Sequence, residues 1–394
     1  MKRITAFAVI VMIIFAPARS VRAGEVDEPD VRAMGAVLMD AETGRVLWGK
    51  NENTRLAMAS TTKIMTAVIA LENGDMDSRV TASRRAAMAP KVHMGLLAGE
   101  EVRLGDLMLA LMLESSNDAA VAIAEHVGGS VEEFCAMMTA KAHSLGAVDT
   151  NFETPSGLDS DNHFSTAYDM AVITRYALRN PDFVNLINTR TATFQSSART
   201  YNFVNRNRLL HEFCGANGVK TGFTGKAGQC FVGACRRGDM QLISVVLASG
   251  WGSTGREQKW RDTKAIMTHG FDNFRYEQIA EERQPSGAIT IERSKTPQID
   301  TVLSKGLKLP LSRQERESIV VDIHMPTAMR APVQEGQQVG TAKVFIMGTV
   351  AEEIPIVTTV GAQRHDLKTS LEKVIDTLLE MGTNEEVNTA LPEF

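Results

Sequence analysis

The sequence contains little cysteine, few aromatic residues and no apolar run long enough to cross a membrane comfortably. Only four of 394 residues are cysteine, and aromatic residues make up 6%. Cys135, Cys214, Cys230 and Cys235 form no Cys-x-x-Cys pair, and no histidine cluster has metal-ligand spacing, so we expect no zinc site. Four cysteines leave three full disulfide pairings open. Cys230 and Cys235, five apart in one predicted strand, should face opposite sides, which disfavours a bond between them.

The first 23 residues carry positive charge and no negative charge. In residues 1–23, Lys2 and Arg3 precede a short apolar stretch, and small residues follow at Ala18 and Ala23. This pattern is typical of a secretory signal peptide. The apolar stretch is too short for a comfortable membrane span, which needs about 20 apolar residues. An uncleaved anchor helix is the alternative, and cleavage after Ala18 or after Ala23 stays open.

Removal of the signal segment makes the protein more acidic. The whole chain has a formal net charge of -5, and residues 1–23 contain four positive and no negative residues, so the mature chain would have -9. An acidic chain without basic blocks is unlike proteins that bind nucleic acid. We therefore expect no nucleic-acid partner.

The chain is long enough for two domains, since single cores rarely exceed about 250–300 residues. In residues 24–276, a hairpin pattern over 36–49 is followed by helical periodicity that includes 104–113; β-branched segments return after residue 218, and an amphipathic helix is predicted over 259–268. This order predicts an α+β domain with an antiparallel sheet covered by helices, in which the first strands join the last. Within 285–361, short strand-like runs separated by proline and glycine predict a small β-rich domain; the runs are 289–292, 318–323, 341–347 and 353–360.

A last amphipathic helix is predicted over residues 365–382, followed by an acidic tail to residue 394. Its apolar face consists of Leu367, Leu371, Val374, Ile375, Leu378 and Leu379. Such a face can lie on a membrane, but acidic residues outnumber basic ones here, and anionic lipid headgroups repel an acidic helix. Packing on protein is therefore favoured, with peripheral membrane contact as the alternative.

The first chemical motif is Ser60-Thr-Thr-Lys63. Residues three apart on a helix share a face, and a partly desolvated lysine there has a lowered pKa and can take the serine proton. A helix start also directs backbone N–H groups at a reacting carbonyl. The spacing recurs at Ser370 and Lys373 on the terminal helix, where nothing nearby completes a site, so the pair alone is weak.

Two further motifs follow in order. Ser115-Ser-Asn117 lies between apolar helical segments and supplies a hydroxyl and an amide; a second copy, Ser160-Asp-Asn162, lies among turn formers and is disfavoured. Lys220-Thr-Gly222 occurs once and combines a cation, a hydroxyl and a residue that permits close backbone approach. The three motifs in this order are far less expected by chance than any one of them.

With these motifs, the chain resembles a low-molecular-weight penicillin-binding protein of the D-alanyl-D-alanine carboxypeptidase family. The resemblance covers about residues 36–360. It rests on blocks that include Ala59-Ser-Thr-Thr-Lys-Ile-Met-Thr-Ala67, Ser116-Asn-Asp-Ala-Ala120, Thr154-Pro-Ser-Gly-Leu-Asp159, Ser165-Thr-Ala-Tyr-Asp-Met-Ala171 and Gly218-Val-Lys-Thr-Gly-Phe-Thr224.

The resemblance implies a β-lactamase/transpeptidase-like α+β domain followed by a β-rich domain, exported to the periplasm or cell envelope. It implies a serine peptidase that removes the terminal D-alanine from peptidoglycan stem peptides without cofactor or metal, and that β-lactams acylate. Its catalytic residues would be Ser60 as nucleophile, Lys63 as base and Ser115 as proton relay. Its substrate-binding residues would be Asn117, Lys220, Thr221, Gly222, Phe223 and Lys259, with the N–H groups of Ser60 and Phe223 as the oxyanion hole.

Two departures and three alternatives accompany the resemblance. Lys259 occupies a position where the family usually has arginine, whose bidentate fork binds carboxylates more selectively, and the terminal helix is acidic rather than basic. A D,D-endopeptidase would use the same residues. A class A β-lactamase should have a glutamate in the loop region 154–169, which has none. A non-catalytic peptidoglycan-binding envelope protein is disfavoured by the intact motifs.

Overall fold

The computed structural model describes residues 28–364 and, beyond them, Leu371, Val374, Ile375 and Leu378. The predicted signal segment 1–23 and the repeated pair Ser370 and Lys373 lie outside the described residues. The chain divides into two compact units, one over Gly24–Arg275 and one from Tyr276 onward.

The first unit contains a five-stranded antiparallel sheet in the order β2-β1-β9-β8-β7. The strands of this unit are β1 (Gly35–Asp40), β2 (Val46–Lys50), β3 (Arg79–Thr81), β4 (Glu101–Arg103), β5 (Thr191–Gln195), β6 (Thr200–Val204), β7 (Ala216–Thr224), β8 (Gly228–Arg237) and β9 (Met240–Leu247). β1 pairs with β9 along its whole length, from Gly35 opposite Leu247 to Asp40 opposite Leu242. The prediction that the first strands join the last is confirmed.

Helices cover both faces of this sheet. The helices of this unit are α1 (Lys63–Asn73), α2 (Arg84–Ala87), α3 (Leu104–Leu109), α4 (Asn117–Gly128), α5 (Val131–Ser144), α6 (Ala167–Ala177), α7 (Pro181–Asn188), α8 (Leu209–Glu212) and α9 (Gly252–Asn273). α9 packs on β8 and β9, and α6 packs on β1 and β9. Because both faces are covered, β1 and β9 consist entirely of buried residues.

α1 is the central helix of the unit, and the residues from Lys63 to Ala70 are all buried. A helix that is apolar on every side belongs inside a core. α1 contacts α4, α5, α6 and α7, so its N-terminal end is held from several directions. This explains how a lysine at its first position is kept away from water.

Two boundaries differ from those expected. The helical segment predicted over 104–113 ends as a π-helical turn, Ala110–Glu114, and Ser115 follows in a left-handed conformation with φ 66°. The helix predicted over 259–268 is α9, which has 22 residues. The polar first turns of α9 have no apolar periodicity, so the pattern detected only its middle.

The second unit is β-rich, as predicted. Its elements are β10 (Phe274–Ala280), β11 (Pro285–Glu292), β12 (Gln298–Leu303), β13 (Leu307–Ser312), α10 (Arg313–Glu317), β14 (Val320–His324), β15 (Ala328–Arg330), β16 (Gln338–Ile346) and β17 (Thr349–Thr358). A six-stranded sheet has the order β14-β16-β17-β12-β11-β15, and β10 pairs with β13. The predicted runs correspond to β11, β14, β16 and β17, whereas β10, β12, β13 and β15 were not predicted.

Beyond residue 364, the four described residues are helical, and their apolar side chains are exposed: Leu371, Val374, Ile375 and Leu378. They belong to the predicted apolar face of the 365–382 helix. Across the described residues, no helix is both long enough and apolar enough to span a bilayer.

Candidate active site

Ser60 lies in a tight 3-10 turn, Ala59–Thr62, that leads directly into α1. Ala59 has φ 48°, a strained value for a residue with a side chain. The turn and the first residue of α1 place Lys63 Nζ 3.0 Å from Ser60 Oγ. The predicted contact between the hydroxyl and the amine is therefore present in the structure.

Lys63 is completely buried and makes two further hydrogen bonds. Its amine donates to Asn117 Oδ1 at 2.8 Å and to the carbonyl oxygen of Ser156 at 2.6 Å. Burial, reinforced by the charge of Lys220 and only partly opposed by Asp118, holds the pKa of Lys63 well below its usual value. The lysine is thus suited to be a neutral base.

Asn117 begins α4, immediately after the turn that contains Ser115. Its Nδ2 donates to Pro90 O at 3.0 Å, and its backbone N–H donates to Val92 O at 2.8 Å. These bonds orient the amide so that Oδ1 faces Lys63. Ser115 is half-buried, two residues from this contact, and its left-handed backbone ends the π-helical turn.

β7 is an edge strand of the sheet and lies against the Ser60 turn. Gly222 on this strand permits the approach: a Cβ there would lie 3.0 Å from Ser60 N and 3.1 Å from Ala59 Cβ. The side chain of Phe223, the next residue, is 52% exposed. The structure therefore brings the Lys220-Thr-Gly222 motif next to the Ser60-Thr-Thr-Lys63 motif.

Lys220 and Lys259 form a second cationic group beside Lys63. Lys220 Nζ donates to Thr221 O at 3.1 Å, and Lys259 Nζ donates to Gln229 Oε1 at 2.7 Å. Burial, together with the neighbouring charge of Lys259, lowers the pKa of Lys220 to about 7. Burial also lowers the pKa of Lys259 to about 8. An anionic ligand would favour the charged form of both amines.

A loop of residues 152–163 contacts the Ser60 turn. It is closed at its base by paired backbone hydrogen bonds between Asn151 and Phe164. Gly157, with φ 83°, approaches so closely that a Cβ there would lie 1.9 Å from Ala59 O. The loop also supplies the Ser156 carbonyl that binds Lys63.

The disfavoured motif copy, Ser160-Asp-Asn162, lies within this loop. Ser160 Oγ donates to the Glu153 carboxylate, and Asn162 donates to it through N and Nδ2, both at 3.2 Å. Glu153 lies one residue before the 154–169 region that contains no glutamate, and its carboxylate is bound to the loop's own residues. These contacts are turn chemistry of the kind expected for this copy.

Sequence motifs did not identify several residues that contact the site. Ser156 acts through a backbone carbonyl, which has no residue-type signal. Gln229 and His163 reach the site through contacts between distant segments: His163 Nε2 lies 2.8 Å from Thr62 Oγ1. Only the Thr154–Asp159 block hinted that this loop matters.

All four cysteines lie in the described part of the chain and are free thiols; Cys214 is exposed and the other three are buried. Among the described residues, no group of three or more His, Cys, Asp or Glu side chains could hold a metal ion.

Comparison with known proteins decides the family. A family model described as D-alanyl-D-alanine carboxypeptidase matches residues 22–250, more than half of the chain. The chain belongs to the D-alanyl-D-alanine carboxypeptidase family. A second model, the C-terminal domain of penicillin-binding protein 5, matches residues 274–363. The predicted family is confirmed, and with it the assignment as a serine hydrolase.

The similarity to other D-alanyl-D-alanine carboxypeptidases extends over most of the chain. DacF of Bacillus subtilis, a D-alanyl-D-alanine carboxypeptidase, is 32% identical over 85% of this chain and 86% of its own. DacC of Escherichia coli K12, also a D-alanyl-D-alanine carboxypeptidase, is 29% identical over 88% of each chain. Penicillin-binding protein 5 of Haemophilus influenzae has a similar structure, with TM-score 0.73 and 26% identity over 86% of this chain and 99% of its own. The predicted fold class is confirmed.

Proposed function

We propose that the protein is a D-alanyl-D-alanine carboxypeptidase that removes the terminal D-alanine from peptidoglycan stem pentapeptides through an acyl-enzyme on Ser60. The observation that supports this most directly is the set of three contacts around the Lys63 amine. They support Lys63 as the group that accepts the Ser60 proton.

A neutral amine has two N–H donors and one lone pair. The carbonyl oxygen of Ser156 and Oδ1 of Asn117 can only accept, so they take both N–H groups of neutral Lys63. The lone pair then remains for the third neighbour, the Ser60 hydroxyl, 3.0 Å away. The Ser60 hydroxyl therefore donates a hydrogen bond to the lone pair of Lys63 Nζ. In this arrangement the amine can accept the serine proton and so activate Ser60 as a nucleophile.

The first half of the reaction follows from this arrangement. Ser60 Oγ attacks the carbonyl carbon of the penultimate D-alanine as its proton passes to Lys63. The N–H groups of Ser60 and Phe223 stabilise the charge on the carbonyl oxygen. When the C–N bond breaks, Ser115 relays a proton from Lys63 to the departing amine, and free D-alanine leaves.

The second half restores the enzyme. Water attacks the Ser60 ester as Lys63 takes its proton, and the ester oxygen leaves and regains a proton as serine. Asn117 holds the substrate amide during both halves. Lys220, Thr221 and Lys259 bind the terminal carboxylate, and Gly222 lets the β7 backbone lie beside the substrate.

A β-lactam has a carbonyl in a strained ring and a carboxylate close to it, which would meet the same groups, so we propose that β-lactams acylate Ser60. A D,D-endopeptidase acting on cross-links remains the second candidate, because its scissile bond would meet the same Ser60, Lys63 and Asn117.

We also propose residues 24–276 as the catalytic domain, since every proposed site residue lies there, and 285–361 as a separate β-rich domain. Residues 1–23 are proposed to be a signal peptide that directs export to the periplasm or cell envelope. The exposed apolar residues Leu371, Val374, Ile375 and Leu378 support a surface contact by the 365–382 helix, with protein or peripherally with a membrane.

The direct test is release of free D-alanine from a stem pentapeptide, measured alongside cleavage of a cross-linked peptide dimer. We expect the wild-type protein to release D-alanine and the Ser60→Ala variant to release none. Cleavage of the dimer without release from the pentapeptide would replace the carboxypeptidase by the endopeptidase. Equal activity of wild type and Ser60→Ala would refute a serine mechanism.

A further inference from the structure

His163 is a buried histidine at the base of the 152–163 loop, and the proposed mechanism does not use it. Its ring connects two segments that are 101 residues apart: Nε2 lies 2.8 Å from Thr62 Oγ1, on the Ser60 turn. On its other side, Nδ1 accepts hydrogen bonds from the backbone N–H groups of Glu153 at 3.0 Å and Thr154 at 3.4 Å.

These partners determine the protonation state of the ring. A backbone N–H can only donate, so Nδ1 must offer its lone pair, and the proton of a neutral imidazole is therefore on Nε2. The Nε2–H group then donates to Thr62 Oγ1. A second proton on Nδ1 would point at two backbone N–H groups.

The charged groups around the ring oppose one another. Glu153 and Asp159 of the loop favour the imidazolium, whereas Lys63 of α1 and Lys226 of the following β7–β8 turn disfavour it. Burial outweighs them all and lowers the pKa of His163 to about 4. The edge-to-face contact with Phe152, at 5.9 Å between ring centroids, adds to this burial. His163 is consequently neutral wherever Lys63 can act as a base.

The two segments that His163 joins, the Ser60 turn and the 152–163 loop, both contact the Lys63 amine and both adjoin α1. Thr62 directly precedes Lys63. The loop contributes the Ser156 carbonyl to Lys63 and the Pro155 carbonyl to Thr66 Oγ1, at 2.6 Å each. Movement of the loop away from the Ser60 turn would therefore remove an acceptor from Lys63 and admit water beside it.

We propose that His163 is a positioning residue: as the neutral Nε2–H tautomer it fixes the 152–163 loop to the Ser60 turn and so keeps Lys63 dry and aimed at Ser60. This inference rests on the proposed acyl-enzyme mechanism. It assigns His163 no contact with the substrate.

The test measures the rate of acylation by a fluorescent penicillin as a function of pH in folded protein. In His163→Ala we expect acylation to slow by roughly tenfold to a hundredfold, because a small misplacement of reacting groups costs this much. We also expect the acid limb of the profile to move to higher pH, because hydration raises the pKa of Lys63. A purely structural loss would lower the rate without moving that limb.

Three further variants sharpen the test. Thr62→Val replaces the hydroxyl that binds His163 by a methyl group of similar size and should shift the limb in the same direction. His163→Asn keeps an acceptor near the position of Nδ1 and should lie between wild type and His163→Ala. His126→Ala is the matched control: this exposed histidine lies near the C-terminal end of α4, nine residues after Asn117, with Nε2 2.9 Å from Ser78 Oγ, and its loss should change neither rate nor limb.

Unchanged rates and acid limbs in both His163→Ala and Thr62→Val would overturn the positioning role while leaving the serine mechanism intact. If His163→Ala does not fold, Thr62→Val and His163→Asn decide the question by the same criterion. No labelling of the wild-type protein would instead overturn the acyl-enzyme mechanism, and the positioning role with it.

Discussion

At the residue scale, three buried lysines with different partners occupy one site. The Lys63 amine contacts Ser60, Asn117 and Ser156, the Lys220 amine donates to the backbone carbonyl of Thr221, and the Lys259 amine donates to the neutral amide of Gln229. None is paired with a carboxylate in these contacts, so burial lowers each pKa. Burial thus makes Lys63 a base, and it leaves Lys220 and Lys259 as amines whose protonated forms a substrate carboxylate can stabilise.

The first prediction concerns pH. Lys220 and Lys259 lose their protons as pH rises through about 7 and about 8, and a neutral amine binds carboxylate weakly. The KM for a pentapeptide should therefore rise as pH increases above this range, and carboxylate binding there should take up protons. Steady-state kinetics across neutral and alkaline pH would check this. A KM that is constant through that range would argue against the two lysines as the carboxylate site.

The second prediction separates Lys259 from its neighbour Arg256. Lys259→Met should raise KM by roughly tenfold to a hundredfold, since a charged hydrogen bond contributes about 1.5–3 kcal/mol. Arg256→Met is the matched control, because Arg256 is exposed on the same helix. The two variants are compared by kcat and KM on one pentapeptide. A larger effect at Arg256 would assign the carboxylate to that residue instead.

The sequence could predict the residues of the site that belong to short motifs, and not those that act through the fold. The pair Ser60 and Lys63 is local, since three residues of helix bring it together. Ser156 contributes only its backbone, and Gln229 and His163 depend on pairings across the sheet and between distant loops. No spacing rule in one sequence identifies such contacts.

At the element scale, the site depends on how closely β7 lies on the Ser60 turn. The third prediction is that Gly222→Ala pushes this strand away by a few tenths of an ångström, because a Cβ would lie 3.0 Å from Ser60 N. Acylation should fall at least about tenfold, with a loss of about 1–3 kcal/mol in the free energy of unfolding from overpacking. Penicillin-labelling rates and denaturant melts measure the two effects.

Gly225→Ala is the control for that prediction, since no atom lies within 4 Å of a Cβ at this position. It should leave both the labelling rate and the unfolding free energy near the wild-type values. Equal behaviour of the Gly222 and Gly225 variants would contradict the close approach of β7 to the Ser60 turn.

Element types were predictable where the apolar period was strong, and boundaries were not. β1, β2, β8 and β9 contain short apolar runs, and β7 has β-branched residues punctuated by glycine, so these strands were recognised. The π-helical turn at Ala110–Glu114 was missed because its apolar residues continue the helical pattern. β12 and β13 were missed because polar residues interrupt the apolar ones in β12, at Asp300 and Thr301, and because Lys308 and Pro310 interrupt them in β13.

At the scale of the whole molecule, two features act on membrane binding in opposite directions. The apolar face of the predicted terminal helix favours binding, and the predicted negative charge of the mature chain disfavours it. The fourth prediction is that any binding to lipid vesicles weakens as the fraction of anionic lipid rises and partly recovers when salt is added. The protein and the anionic lipid surface are both negative, and salt screens the repulsion between them. Co-sedimentation with vesicles of graded anionic content measures this. Tighter binding to anionic vesicles would show that charge does not govern the contact.

The most direct test of the central claim is to locate the covalent adduct after reaction with penicillin, by mass spectrometry of proteolytic peptides. The predicted result is one penicilloyl group per chain, on the peptide that contains Ser60, and none on the Ser60→Ala protein. An adduct on the Ser370 peptide, or an unmodified wild-type protein, would contradict the assignment of Ser60 and Lys63 as nucleophile and base.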